Sequence, residues 1–169
     1  ARLFNAIVAK NEDPKIYGKL FDTISICFSK GLGIPLGTIL LGNEDLMRIA
    51  IRVRKILGGG MRQVGYIAAA GLYAIDNNIE RLAEDHQRAS EIAGMLSGLS
   101  FVKKVEPTET NIVIFNLQED ISEKRFIEDM SKKNIRLSDM GEGKLRIVTH
   151  LDYTQEMHLT VMRALENYQ

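Results

Sequence analysis

Thr23-Ile24-Ser25-Ile26-Cys27-Phe28-Ser29-Lys30-Gly31-Leu32-Gly33-Ile34-Pro35-Leu36-Gly37-Thr38-Ile39-Leu40-Leu41-Gly42 is the stretch on which the reading of this chain turns. Polar and apolar residues alternate from Thr23 to Phe28, and the apolar ones are β-branched or aromatic, which marks a strand. Gly37 to Gly42 reads as a second short strand, close enough to pair with the first as an antiparallel neighbour. Lys30 falls where the first strand ends. Gly31 and Gly33 follow it, and glycine lets backbone approach a ligand closely. A lysine kept from water has a lowered pKa and can act as a nucleophile, as condensation with an aldehyde cofactor requires. Ser-Lys-Gly is also short and common, so the same residues fit a solvated lysine at a turn.

Upstream, Leu3, Phe4, Ile7 and Val8 have helical spacing, and Asn11 to Gly18 carries the residues of a loop. Downstream, Asn43 caps a helix with Glu44 and Asp45 in its first turn, running to about Leu57 and stopped by Gly58-Gly59-Gly60. A long helix is expected from about Arg62 to Leu99, with a kink or break at Asp76-Asn77-Asn78. Beyond Phe101 the pattern is that of a compact α+β unit. It has strands at Asn111–Asn116, Ile135–Leu137 and Leu145–Thr149, a helix at Ser122–Lys133, and a last helix capped by Thr154. This divides the chain into residues 1–98 and 99–169. Two short strands cannot shield their own faces, so the first part is expected to need further strands from outside this sequence.

Composition bounds the function. The 169 residues hold 22 basic and 22 acidic side chains, and a net charge of zero offers no electrostatic case for nucleic acid or an acidic membrane. No apolar run reaches the ~18 residues that span a bilayer. The one cysteine, Cys27, cannot form an internal disulfide, which suits a cytoplasmic protein. Three histidines and one cysteine show no metal-ligand spacing. The chain opens at Ala1 without methionine, as a processed or partial chain would.

Three further features are candidates for chemistry. Gly58-Gly59-Gly60-Met61-Arg62 can expose backbone N–H groups to an anion, with Arg62 adding a positive fork; it also fits a plain flexible connection. Arg146 lies on one strand face with Val148, and a buried arginine needs an anion, either a structural carboxylate or a substrate. His150 follows; a lone histidine is more often a packing or hydrogen-bonding residue than a catalyst. His86 and His158 read as surface residues of helices.

Taken together, four ordered stretches resemble the threonine aldolase family, within the β-eliminating lyase superfamily of pyridoxal-phosphate enzymes. They are Ser25 to Thr38, Arg54-Lys55-Ile56-Leu57-Gly58-Gly59-Gly60-Met61-Arg62-Gln63, Leu145-Arg146-Ile147-Val148-Thr149-His150, and the opening Ala1-Arg2-Leu3-Phe4-Asn5-Ala6. The resemblance implies an α/β protein of the fold type I class, with part of the large domain followed by a small C-terminal α+β domain. It implies pyridoxal 5'-phosphate as cofactor and a β-hydroxy amino acid such as L-threonine or L-allo-threonine as substrate. The reaction would be retro-aldol cleavage to glycine and an aldehyde in a homo-oligomer, a dimer or tetramer. Lys30 would form the Schiff base, and Arg2 and Arg146 would grip the substrate carboxylate. Arg62 and Lys55 would serve the phosphate, and Ser29 would assist near the cofactor. The family's phosphate loop, ring-stacking histidine and pyridine-pairing aspartate have no counterpart in this sequence, so the chain alone is expected to catalyse little. The same fold also hosts β-elimination and transamination, or a non-catalytic interaction module.

Overall fold

The computed structural model of the chain describes residues 1–168. It forms two compact units, Ala1–Arg81 and the residues from Leu82 onward. The division therefore falls at Arg81/Leu82, while the sequence pattern placed it at 98/99. The reason is the expected long helix, which is two helices. α4 (Gly65–Asn78) ends where Asn77 Nδ2 donates to the Tyr73 carbonyl at 2.8 Å and Asn78 Nδ2 donates to the Leu32 carbonyl at 2.8 Å. Asparagine side chains that bond backbone compete with helix propagation. α5 (Leu82–Ser97) then packs on the strands that follow it.

The first unit begins with α1 (Leu3–Lys10) and α2 (Lys15–Leu20). α2 replaces the loop expected over 11–18, because Asp13 Oδ1 accepts the Lys15 N–H at 3.0 Å and Pro14 supplies a helical φ of −58°. β1 (Thr23–Cys27) and β2 (Thr38–Gly42) pair antiparallel, Cys27 opposite Thr38 and Thr23 opposite Gly42, as the short connection between them indicates. α3 (Glu44–Ile56) is capped by Asn43, whose Oδ1 accepts the Leu46 N–H at 2.9 Å. Burial in this unit is thin. β2 is exposed along its whole length despite its Ile39-Leu40-Leu41 core, and α3 buries no residue.

The second unit carries a four-stranded sheet in the order β3-β4-β6-β5, from β3 (Val102–Val105), β4 (Ile112–Leu117), β5 (Ser138–Asp139) and β6 (Lys144–Val148). α6 (Glu123–Lys132) and α7 (Gln155–Glu166) complete it, capped by Ser122 and Thr154. β3 was not evident in the sequence, where Val-Lys-Lys-Val is too short and too charged to signal itself. The strand expected at Ile135–Leu137 is absent. Asn134 and Ile135 instead turn back on α6, their N–H groups donating to Ser131 and Met130 carbonyls, with Asn134 in the left-handed region at φ 60°. Ile135 is thereby pulled into the core. That core gathers Ile92, Leu96, Val113, Phe115, Met130, Leu145 and Leu165 around a knot of rings. Phe126 meets Phe101, Phe115 and Tyr168 with centroids 5.7, 6.1 and 4.7 Å apart.

Candidate functional site

Each unit contributes its own candidate residues. In the first, β1 delivers Phe28, Ser29 and Lys30 in succession. Phe28 is buried, and its N–H donates to the Gly37 carbonyl at 2.9 Å, extending the hairpin by one rung. Gly31 and Leu32 are buried next, and the Gly33 N–H closes a turn on the Lys30 carbonyl at 3.0 Å. Ser29 and Lys30 are left on the surface between these anchors. The lysine is thus exposed rather than dry, which departs from the expectation of shielding: its buried neighbours hold its backbone and leave its amine open to solvent.

Ser29 is engaged within its own strand end. Its Oγ lies 3.2 Å from Cys27 Sγ, and this hydrogen bond, helped by the nearby Lys30 charge, draws the Cys27 thiol below its ordinary pKa against the opposing effect of burial. Arg2 caps the start of α1, and its carbonyl accepts the Ala6 N–H. Phe4 of the same helix meets Phe28 with ring centroids 6.5 Å apart, so the helix that begins at Arg2 packs on the strand end that precedes Lys30.

The triglycine segment is not a cradle of free N–H groups. Gly58, at φ +81°, donates to the Lys55 carbonyl at 3.2 Å, and Gly59 donates to Arg54 at 2.8 Å. This is the two-bond helix stop in which a left-handed glycine folds the chain back on the last turn. These donors are spent on the end of α3, which corrects the expectation of a backbone anion site. Arg62 and Lys55 are exposed on either side of the stop, so any anion bound there is held by side-chain charge.

In the second unit, Arg146 stands on β6 between Ile114 of β4 and Ser138 of β5, on the half-buried face that also carries Val148. Its Nε is shut off from solvent and has no hydrogen-bond partner among the described residues. A buried guanidinium nitrogen left without an acceptor is costly, and a carboxylate is the group that would satisfy it. Beyond it, His150 is exposed and its Nδ1 accepts the Asp152 N–H at 3.2 Å. The neutral ring then carries its proton on Nε2, a donor position rather than a base.

The sequence reading missed two polar clusters here. His158 is buried, not superficial, with Nε2 2.8 Å from Glu91 of α5 and Nδ1 3.2 Å from the Tyr153 hydroxyl. Burial pushes the Tyr153 phenol up to about 12. Thr149 Oγ1 donates to the Asp85 carbonyl at 2.6 Å while Asn111 Nδ2 donates to the Thr149 carbonyl at 2.6 Å. The His158–Glu91 and Thr149–Asp85 contacts span more than sixty positions and the Asn111–Thr149 contact about forty, and no local signal announces them. Among the described residues no group of His, Cys, Asp and Glu is placed to hold a metal ion, and no helix is long and apolar enough to cross a membrane.

A hairpin ending in a clamped lysine, two flanking helices and a small α+β unit are parts of the fold of the pyridoxal-phosphate-dependent fold type I enzymes. Solved structures agree. A Listeria monocytogenes protein provisionally assigned as an L-allo-threonine aldolase matches with a TM-score of 0.76 at 22% identity, over 98% of this chain and 50% of that one. Within that class the chain belongs to the Beta-eliminating lyase family, whose sequence model matches residues 1–120. It is 40% identical over 158 residues to the low specificity L-threonine aldolase of Escherichia coli K12, covering 92% of this chain and 45% of that protein. It is 33% identical to low-specificity L-threonine aldolase 1 of Arabidopsis thaliana, over 95% of this chain and 46% of that protein. The chain spans about half the length of the curated relatives it matches.

Proposed function

We propose that this chain supplies the lysine-bearing segment and the C-terminal unit of a pyridoxal-phosphate-dependent threonine aldolase. Such an enzyme cleaves L-threonine, L-allo-threonine or related β-hydroxy amino acids to glycine and an aldehyde. The observation that carries the reading is the buried, unpartnered Nε of Arg146, which calls for a carboxylate, in a chain of this family. The residues fit the cofactor: an accessible primary amine at Lys30 for its aldehyde, and exposed cations at Arg62 and Lys55 for its phosphate.

When bound, the cofactor ring draws off the electron pair released as the Cα–Cβ bond breaks. This chain's side chains do the rest. Lys30 Nζ would hold the cofactor by its aldehyde, and the same amine, when not so engaged, could carry a proton. Arg146 would grip the substrate carboxylate and so fix which Cα bond is presented for cleavage, and the family resemblance assigns Arg2 a carboxylate-binding role as well. Ser29 steadies the strand end through Cys27. His150 is exposed with Nδ1 engaged by the Asp152 N–H, which does not favour it as the base for the β-hydroxyl. The exposed apolar side chains of α3, Ile49, Ile51 and Ile56, suit an assembly of subunits, dimer or tetramer. A reducing compartment such as the cytoplasm suits a lone free thiol.

Lys30→Ala in the full-length protein tests the reading. It is expected to abolish the visible absorbance of lysine-bound cofactor and to lower threonine cleavage by about a thousandfold or more, on the scale of losing a covalent catalyst. Survival of both glycine release and that absorbance would overturn the assignment.

A further inference from the structure

We propose that Asn78 is a positioning residue for Lys30, acting through the carbonyl of Leu32. The proposal rests on the reading of Lys30 as the cofactor amine. Lys30 is followed by Gly31 and Gly33, and Gly33 is in the left-handed region at φ +76°. Two glycines widen the conformations open to this backbone, and an amine that must meet an aldehyde at a fixed geometry cannot ride on a free loop. The structure holds the loop at separate points. Phe28 is tied to Gly37 in front, and Gly33 is tied to Lys30 behind. Across the loop, Asn78 at the end of α4 reaches 46 positions back in sequence and donates Nδ2 to the Leu32 carbonyl at 2.8 Å. Leu32 is 2% exposed, so without this donor its carbonyl would be a buried acceptor short of a partner.

Helix α4 is also brought up close. A Cβ added at Gly71 would lie 3.2 Å from two ring carbons of Phe28. The helix therefore touches the residue two before Lys30 through Gly71 and holds the residue two after it through Asn78. An amide is the side chain for this task, since it presents a donor to a carbonyl without a charge. An aspartate of the same shape would set a carboxylate against the carbonyl oxygen.

The test uses the full-length protein with pyridoxal 5'-phosphate as probe. Borohydride fixes cofactor on lysine, peptide mass spectrometry reads the labelled fraction at Lys30, and hydrogen–deuterium exchange reads the peptide around residues 28–34. Asn78→Asp is expected to weaken cofactor capture at Lys30 about fivefold, the fold-change of one neutral hydrogen bond, and to speed exchange in that peptide. Asn78→Gln keeps the donor and should recover part of both. Asn77→Ala removes an amide bonded only to its own helix and should change neither. Labelling equal to wild type in Asn78→Asp overturns the proposal, whether or not exchange rises. If Asn78→Asp fails to fold, Asn78→Ser decides the matter by the same two readouts. A wild-type protein unlabelled at Lys30 would instead sink the cofactor reading, with faster exchange in Asn78→Asp still reporting the clamp on the loop.

Discussion

Residues 1–81 and the residues from Leu82 onward draw on one composition and use it differently. The second unit closes its apolar surface on itself. Phe115, Phe126, Leu96, Met130, Leu145 and Leu165 are fully buried in one cluster. The first unit buries a smaller set around Phe28 and Leu32 and turns many large apolar residues outward: Ile49, Ile51, Ile56, Leu57, Tyr66, Leu72 and Tyr73 are each at least 60% exposed. A folded unit needs burial to offset chain entropy, so the second is built to stand alone and the first to be covered. The candidate residues follow the same division. Arg146 sits on a rigid sheet, whereas Lys30 sits on a hairpin end that must be tied down by helix α4.

The most direct way to break this comparison is to separate the units. Residues 82–169 expressed alone should unfold in a single cooperative urea transition followed by circular dichroism. Residues 1–81 alone should show no cooperative transition and should bind an apolar dye. A sharp transition from monomeric 1–81 would refute the contrast. Single side chains should show the same asymmetry on a smaller scale. Phe126→Ala, which empties the centre of the ring cluster, is expected to cost about 3–5 kcal/mol. Leu40→Ala on exposed β2 should cost less than about 1 kcal/mol. Equal shifts in the urea midpoint would mean that β2 is better buried than its exposure indicates.

The smallest expected effect is a pH dependence confined to the second unit. Burial lowers the His86 pKa, against the pull of the Asp85 charge beside it. The folded protein therefore resists a proton that the unfolded chain accepts near its ordinary value of about 6.5. Stability attributable to His86 is full above that pH and declines as pH falls through it, and the loss stops growing once pH is below the folded pKa. Urea titrations of wild type and His86→Asn at pH 7.5 and pH 5.5 should show a larger loss in the wild type. A wild-type loss no greater than that of His86→Asn would remove His86 from the account.

Much of the fold was legible in the sequence because its signals are local. Alternation gave β1, a short apolar run between glycines gave β2, and Asn43 and Thr154 announced α3 and α7 by capping chemistry that operates within three residues. What stayed hidden depends on distant partners. His158 is polar and on a helix, and only Glu91 and Tyr153 make its burial affordable. The triglycine run stays open between an anion cradle and a plain connection, because sequence shows where N–H groups exist but not which carbonyls already hold them. Lys30, Arg62 and Arg146 could be named as candidates by residue type and position, and Arg2 by the family resemblance alone. The Asn78 contact could not, because an asparagine near a helix end says nothing about a carbonyl 46 residues earlier.

The sheet of the second unit also has guarded borders. β5 is two residues long, and β3 carries Lys103 and Lys104. Neither offers a long neutral strand on which another molecule could dock its backbone, so this unit should stay dispersed when it is crowded. The β1–β2 pair lacks that protection, with five-residue strands and an uncharged Thr-Ile-Leu-Leu-Gly rim. If the molecule self-associates in error under heat or overexpression, the sticking should start along that rim, and a lysine placed there should restore solubility.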